Sequence, residues 1–246
     1  HQEFDECTTN IIPSQEDAES WAAKFRMLSG RPLDEANPIL DTDLVLGQIR
    51  ARVAIIQQPL SPTGLAYAFR RHREEPWTLP LFIQNRMLNS FTAGLLSFLI
   101  DGGRTLIVAG TRSSGKTSLL GALMLEILSK YRCIVLEDVL ELPVDVMRKL
   151  NYDVLRMKVR AALLKTTTEV AADEGIRASL RLGDSCLIVG EIRSIEARAL
   201  FEAMRVGALA NVVAGTVHGA SPYAIFDRIV NDLEVPITSF KAVDTI

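Results

Sequence analysis

Gly110-Thr111-Arg112-Ser113-Ser114-Gly115-Lys116-Thr117 lies between an apolar run, Leu106-Ile107-Val108-Ala109, and an amphipathic stretch that begins near Ser114. The octapeptide satisfies G-x-x-x-x-G-K-[ST] at every position, and strand before, helix after is the context the pattern requires. Each fixed position has a physical reason. Glycines let the backbone wrap closely enough for its N–H groups to point at phosphate oxygens. The helix that follows adds the positive end of its macrodipole. Lys116 supplies a point charge, and the Thr117 hydroxyl is a ligand for Mg²⁺. A chance match in a chain of this length arises in roughly one chain in a hundred at average residue usage. Gly110 to Thr117, with Ser118 after them, are therefore the candidate nucleotide-binding residues.

Outward from the loop, apolar β-rich runs alternate with helical patterns. Leu81 to Ile100 reads as a helix, Thr105 to Ala109 as a buried strand and Ser114 to Lys130 as a helix. Cys133 to Leu136 is a strand, followed by a helix near Val170 to Leu182, a strand Cys186 to Val189 and a helix Ser194 to Val206. Asn211 to Thr216 (strand) and Ser221 to Leu233 (helix) complete the series. Such alternation predicts an α/β fold with a mainly parallel sheet covered on both faces. Ligands on such sheets sit at the carboxyl ends of the strands.

Residues 1–72 read differently, as a small α+β domain, the end of a longer one. Ser14 opens a helical pattern (Ala18, Trp21, Ala22, Phe25, Leu28) that stops at Gly30. Gln48 to Ile56 and Leu65 to Arg71 read as strands. Residues 73–80, charged and holding Pro76 and Pro80, are the candidate linker, and His72 beside them is expected to be solvated. Residues 81–246 form the nucleotide-binding domain.

The chain has 246 residues, 48% hydrophobic and 23% charged, with formal net charge −3. That is a globular composition without the basic footprint of a nucleic-acid binder. Cys7, Cys133 and Cys186 are too scattered for a disulfide framework or a CxxC zinc site, which points to a reducing compartment. The longest apolar run, near Gly94 to Ile100, is far below the ~20 residues of a membrane span. No basic-then-apolar leader is visible, so a cytoplasmic location is expected.

A phosphate loop working with Mg²⁺ needs acidic groups near the metal and the attacking water. Ile134-Val135-Leu136 leads into Glu137-Asp138, with Glu141 beyond, and Leu187-Ile188-Val189 leads into Gly190-Glu191-Ile192-Arg193. Carboxylates directly after buried strands face the ligand edge of the sheet; the alternative is that they are helix caps or solvated turn residues. Asp184 reads as a turn residue before its strand. His218 closes Val213-Ala214-Gly215-Thr216-Val217 beside Gly219, which favours sensing the γ-phosphate or positioning water over a structural role.

With these elements in order, the chain resembles the secretion ATPases of the type II and type IV superfamily, whose members drive protein secretion, type IV pilus dynamics and the archaeal flagellum. Its marks read here as a Walker A loop (Gly110 to Thr117), an Asp box (Glu137-Asp138-Val139-Leu140-Glu141), an atypical Walker B (Ile188-Val189-Gly190-Glu191-Ile192-Arg193) and a His box (Gly215-Thr216-Val217-His218). The stretch Ile176 to Val230 is most similar to the archaeal branch, and Pro62-Thr63-Gly64 before Tyr67-Ala68-Phe69-Arg70-Arg71 is similar to the family's amino-terminal domain. The resemblance covers nearly all of the chain.

The resemblance implies a RecA-like P-loop domain behind a small α+β domain, with ATP and Mg²⁺ as ligands. It implies that Glu191 positions or polarises water, that Glu137 and Glu141 act around the metal and nucleotide with Asp138, and that His218 senses the γ-phosphate. Metal contacts would come from Thr117, Glu137 and Asp138. It further implies a homo-hexameric ring at the inner face of the cell membrane, an integral-membrane platform protein, exported subunits as cargo, and no nucleic acid. Arginines of the amino-terminal domain would reach toward nucleotide, with Arg52, Arg70 and Arg71 as candidates; the alternative is an edge strand carrying solvated charge. The four-cysteine zinc insertion that bacterial secretion members of the family often carry is not in this sequence, and the family's carboxyl-terminal domain runs well past a segment like Ile237 to Ile246, so truncation there is expected. Two other readings stay open: a RecA-like nucleic-acid translocase, which the net charge of −3 disfavours, and a nucleotide-binding module without turnover.

Overall fold

Ser14 ends an extended segment and accepts the Asp17 N–H at 3.1 Å, which starts helix α1 (Gln15–Ser29). Gly30, in the left-handed region at φ 63°, ends it, because a residue without Cβ adopts that conformation at little cost. These elements come from the computed structural model, which describes residues 10, 12–47, 49–73, 75–159, 170–183, 186–194, 196–206 and 212–246. The turn expected at Asp184 and the strand starts expected at Gln48 and Asn211 lie outside the described residues. The chain divides into two compact units, His1–Glu74 and Glu75–Ile246.

In the first unit α1 buries Ala22 and Phe25 against Leu33, Leu40, Val53 and Ile55. The last three belong to an antiparallel sheet of β1 (Ile39–Leu46), β2 (Ile49–Ile56) and β3 (Ala66–Arg71), in the order β1-β2-β3. The sequence reading lacks β1, because Asp41, Thr42 and Asp43 interrupt its apolar pattern. On β3, Tyr67 and Phe69 share one face, as residues two apart on a strand do: their rings stack with centroids 6.0 Å apart, and Tyr67 OH donates to the Ala18 carbonyl of α1 at 2.5 Å. His72 is buried rather than solvated. Its N–H donates to Arg50 O at 2.8 Å, so sheet pairing runs one residue past β3 and carries the ring inward.

The second unit opens with α2 (Leu79–Gln84) and α3 (Ser90–Asp101) in place of the single helix expected from Leu81 to Ile100. Arg86 at φ 58° breaks the run, and the Asn89 side chain restarts it by accepting from Thr92 N at 2.7 Å. Then follow β4 (Thr105–Gly110), α4 (Lys116–Met124), β5 (Cys133–Glu137), α5 (Val144–Lys149), β6 (Val154–Lys158), α6 (Ala172–Ser179), β7 (Cys186–Val189), α7 (Glu196–Val206), β8 (Val213–His218), α8 (Pro222–Asp227), a π-helical turn at Arg228–Asp232, and α9 (Ile237–Phe240). Helix α4 is shorter than the sequence predicts. From Leu125 to Ile127 the N–H groups donate to carbonyls three residues back, the tighter turn that ends many helices.

The strands form a parallel five-stranded sheet in the order β4-β8-β7-β5-β6. Alternate residues enter separate cores: Leu106, Val108, Cys133 and Val135 pack on one face, Ile107, Ile134 and Leu136 on the other. This is the α/β architecture expected, with the small α+β unit before it. Because the strands are parallel, the residues after β4, β5 and β7 and the end of β8 all come to one edge.

Candidate functional site

At the carboxyl end of β4 the chain folds into the loop that opens α4. Gly115, at φ 86°, precedes Lys116, and Ser113 is also left-handed at φ 60°. Gly110 is required by space instead, since a Cβ there would meet Ser114 Oγ at 2.5 Å. The loop is closed on itself: Ser114 Oγ donates to Thr111 O at 2.8 Å, and the Lys116 ammonium donates to the same carbonyl at 2.6 Å. Lys116 is buried, Thr117 and Ser118 are half-buried on the first turn of α4, and Thr111 to Ser114 face solvent.

Lys116 Nζ also lies 3.4 Å from His218 Nδ1 at the end of β8. His218 Nε2 lies 3.1 Å from Glu191 Oε1, after β7. An ammonium only donates, so Nδ1 accepts and the ring proton sits on Nε2, toward the carboxylate. Burial lowers the His218 pKa below its ordinary value; Glu191 opposes this, while Lys116, Arg228 and Arg193 reinforce it. Burial pushes the Glu191 carboxyl up, but the hydrogen bond and charge of Arg193, then His218 and Lys116, hold it below its ordinary value. A neutral imidazole therefore lies between an ammonium and a carboxylate.

The acidic residues at the end of β5 and just beyond it differ in their surroundings. Glu137 points into the protein with its side chain 1% exposed. Its Oε1 accepts the Glu141 and Leu142 N–H groups at 2.8 and 2.7 Å, and its Oε2 lies 3.3 Å from Arg156 Nε on β6. Burial pushes its pKa up to about 7 against the pull of those amides and of Arg156. Asp138 and Glu141 beyond it are half-buried. Asp138 Oδ1 accepts Val139 N at 2.9 Å and Oδ2 accepts Arg193 Nη1 at 2.9 Å.

Sequence reasoning assigned Arg193 no role of its own, yet it joins two of the strand ends. The available signal was an opposite charge two residues after Glu191, close behind the end of a buried strand. Glu196 was also missed; buried at the start of α7, it accepts the Arg193 and Ser194 N–H groups at 2.5 and 2.8 Å.

Arg52, Arg70 and Arg71 are described within the first unit. Arg52 on β2 makes a two-armed ion pair with Asp41 of β1 and lies in register opposite Arg70. Arg70 and Arg71 are exposed on β3. No helix of the described residues is long and apolar enough to cross a membrane. Among the described residues no three histidine, cysteine or acidic side chains gather as a metal cluster.

The chain is similar to known proteins in sequence and in fold. The profile of the family described as "Type II/IV secretion system protein" matches residues 18–237. An uncharacterised protein of Methanocaldococcus jannaschii, MJ0900, is 30% identical over 241 residues, covering 97% of this chain and 42% of that protein. The type IV secretion system protein PtlH of Bordetella pertussis is 30% identical over 220 residues, 81% of this chain and 62% of that one. The chain thus spans about half the length of these relatives. Among solved structures, the Legionella pneumophila ATPase DotB superposes with a TM-score of 0.65 at 18% identity, over 95% of this chain and 61% of that one, a likeness of fold.

Proposed function

The chain belongs to the type II/IV secretion system protein family, and from that premise we propose that it hydrolyses Mg-ATP to drive protein subunits through or out of a membrane. The observation that carries the reading is the line Lys116–His218–Glu191, with contacts of 3.4 and 3.1 Å at adjoining strand ends. Those three residues are a phosphate-binding cation, a neutral ring and an ionised carboxylate, the parts needed to hold a triphosphate and orient water against it.

In this reading Lys116 leaves the Thr111 carbonyl for phosphate oxygens, and the loop N–H groups from Gly110 to Ser118 surround them. His218, released by Lys116, offers Nδ1 toward the space that opens. Glu191, ionised at neutral pH, orients the attacking water through Oε1. Thr117 and Asp138 fit Mg²⁺, a hard cation that takes oxygen donors and few protein ligands, and that when bound neutralises phosphate charge. Glu137 holds the loop carrying Asp138 and Glu141 by accepting its amides, and Glu141 borders the nucleotide. Arg52, Arg70 and Arg71 would supply further phosphate contacts, Arg70 and Arg71 being the exposed pair. The working form is a homo-hexameric ring at the cytoplasmic face of the membrane, docked on an integral-membrane platform.

The test is Mg-ATP turnover by the purified chain, with Lys116→Ala and Glu191→Gln beside it. Both variants should lose turnover by roughly two to three orders of magnitude, as when a transition-state contact is removed. Only Lys116→Ala should also weaken ATP binding. Turnover retained in Lys116→Ala would place hydrolysis elsewhere.

A further inference from the structure

Arg193 Nη2 donates to Glu191 Oε2, and Arg193 Nη1 donates to Asp138 Oδ2 at 2.9 Å. One planar guanidinium thus binds the carboxylates that follow β7 and β5. We infer that Arg193 is a positioning residue that ties Glu191 to Asp138 and so sets the direction in which the Glu191 carboxylate faces the phosphate loop.

The fork is held from behind. Glu196 Oε1 accepts the backbone N–H of Arg193 at 2.5 Å and of Ser194 at 2.8 Å, and Glu196 Oε2 accepts the Ser194 hydroxyl at 2.5 Å. One residue earlier, Ile192 N donates to Thr216 O of β8 at 2.8 Å, and Ile192 is fully buried. Three consecutive residues are therefore anchored, and the guanidinium starts from a fixed backbone. With Oε2 taken by Arg193, Glu191 presents Oε1 to His218.

Charge gives the second reason. Asp138 and Glu191 lie on adjacent strand ends, with Glu141 nearby and also felt by Arg193. Without a cation between them, Asp138 and Glu191 would repel, and the Glu191 carboxylate would swing or take up a proton. Lysine cannot replace the fork, because an ammonium is a single point whereas the guanidinium presents two separate donors in one plane.

The catalytic consequence rests on the hydrolysis reading above, so the test has two arms. In the first, without nucleotide, Arg193→Gln is crossed separately with Glu191→Gln and with Asp138→Asn, and the unfolding equilibrium of the whole chain is measured. Both pairs should be non-additive, by about fivefold or more in the unfolding constant. Additivity in either pair overturns the tie, whether or not the chain hydrolyses ATP. In the second arm, Arg193→Lys should lower kcat about tenfold and Arg193→Gln about a hundredfold, with KM for ATP within about twofold, the signature of a group that acts on the chemical step. Unchanged kcat, or kcat and KM changed together, overturns the positioning role. If the parent chain shows no turnover, the hydrolysis reading fails and the first arm alone still decides for or against the tie.

Discussion

Nε2 of His218 lies 3.1 Å from Oε1 of Glu191, so the imidazole proton points at the carboxylate and Nδ1 is left to accept from Lys116. Burial, Lys116, Arg228 and Arg193 lower the His218 pKa, and Glu191 alone raises it. We expect the ring to be neutral at pH 7, protonated on Nε2, and to titrate below its ordinary value of 6.5. Its stabilising contribution is present above that value and is lost as pH falls through the lower, folded midpoint. Nitrogen NMR of labelled histidine would show both. In Glu191→Gln the midpoint should move down further, and an upward shift would refute the assigned contact.

Glu137 carries a pH dependence of opposite sign. Its folded pKa is raised to about 7, so the folded chain keeps a proton that the unfolded chain releases near the ordinary carboxylate value. Its contribution is full below about pH 4.5 and is lost as pH rises through 7, amounting to ~3 kcal/mol at most. Denaturant unfolding of the parent and of Glu137→Gln between pH 5 and 7.5 isolates the effect. The stability difference, parent minus variant, should fall as pH rises; a flat difference would assign the group an ordinary pKa.

Gly110 leaves room that a methyl group would fill, with Ser114 Oγ only 2.5 Å from the position of a Cβ. Gly110→Ala should disturb the loop and weaken ATP binding at least about tenfold, the scale expected for a site misplaced by a fraction of an ångström. Adding Ser114→Gly removes the obstructing side chain and should recover much of the affinity, as measured by titration calorimetry. Full binding by Gly110→Ala alone would show that the loop rearranges freely.

Arg70 and Arg71 are exposed at the end of β3, so replacing both with alanine should change unfolding stability by no more than about 1 kcal/mol. We expect ATPase activity to drop strongly, because guanidinium groups suit two-armed phosphate contact. Mixing this variant with Lys116→Ala then decides the geometry. Recovered activity means that a neighbouring subunit supplies the arginines, and none means the same chain does. Unchanged activity in the double variant would remove both from the site.

Much of this architecture is legible because its signals are local. Ser14 and Gly30 mark both ends of α1, and the glycine-lysine loop marks where β4 gives way to α4. The buried strands β5, β7 and β8 are short apolar runs that read as such. What escaped was decided by partners distant in sequence. Strand β1 alternates poorly because Asp41 belongs to an ion pair with Arg52, and β6, an edge strand, carries Arg156 for the sake of Glu137. The depth of Glu137 was equally hidden, since it depends on amides offered by Glu141 and Leu142. Arg193 meets Asp138 across 55 positions of chain, which no spacing rule anticipates.

The strand order carries a consequence for how the site comes into being on a ribosome. Among the described strands, β4 is paired only with β8, which lies between it and β7. As synthesis proceeds from the amino end, the phosphate loop emerges early but its strand has no neighbour in the sheet. Strands β5, β6 and β7 can pair with one another in the meantime, bringing Asp138, Glu191 and Arg193 into range. Only when Val213 to His218 appears does a single strand join the two parts and bring its histidine between Lys116 and Glu191. The nascent chain therefore carries its two charged halves unjoined until the last described strand is made, and insertion of that strand is the event that completes the site.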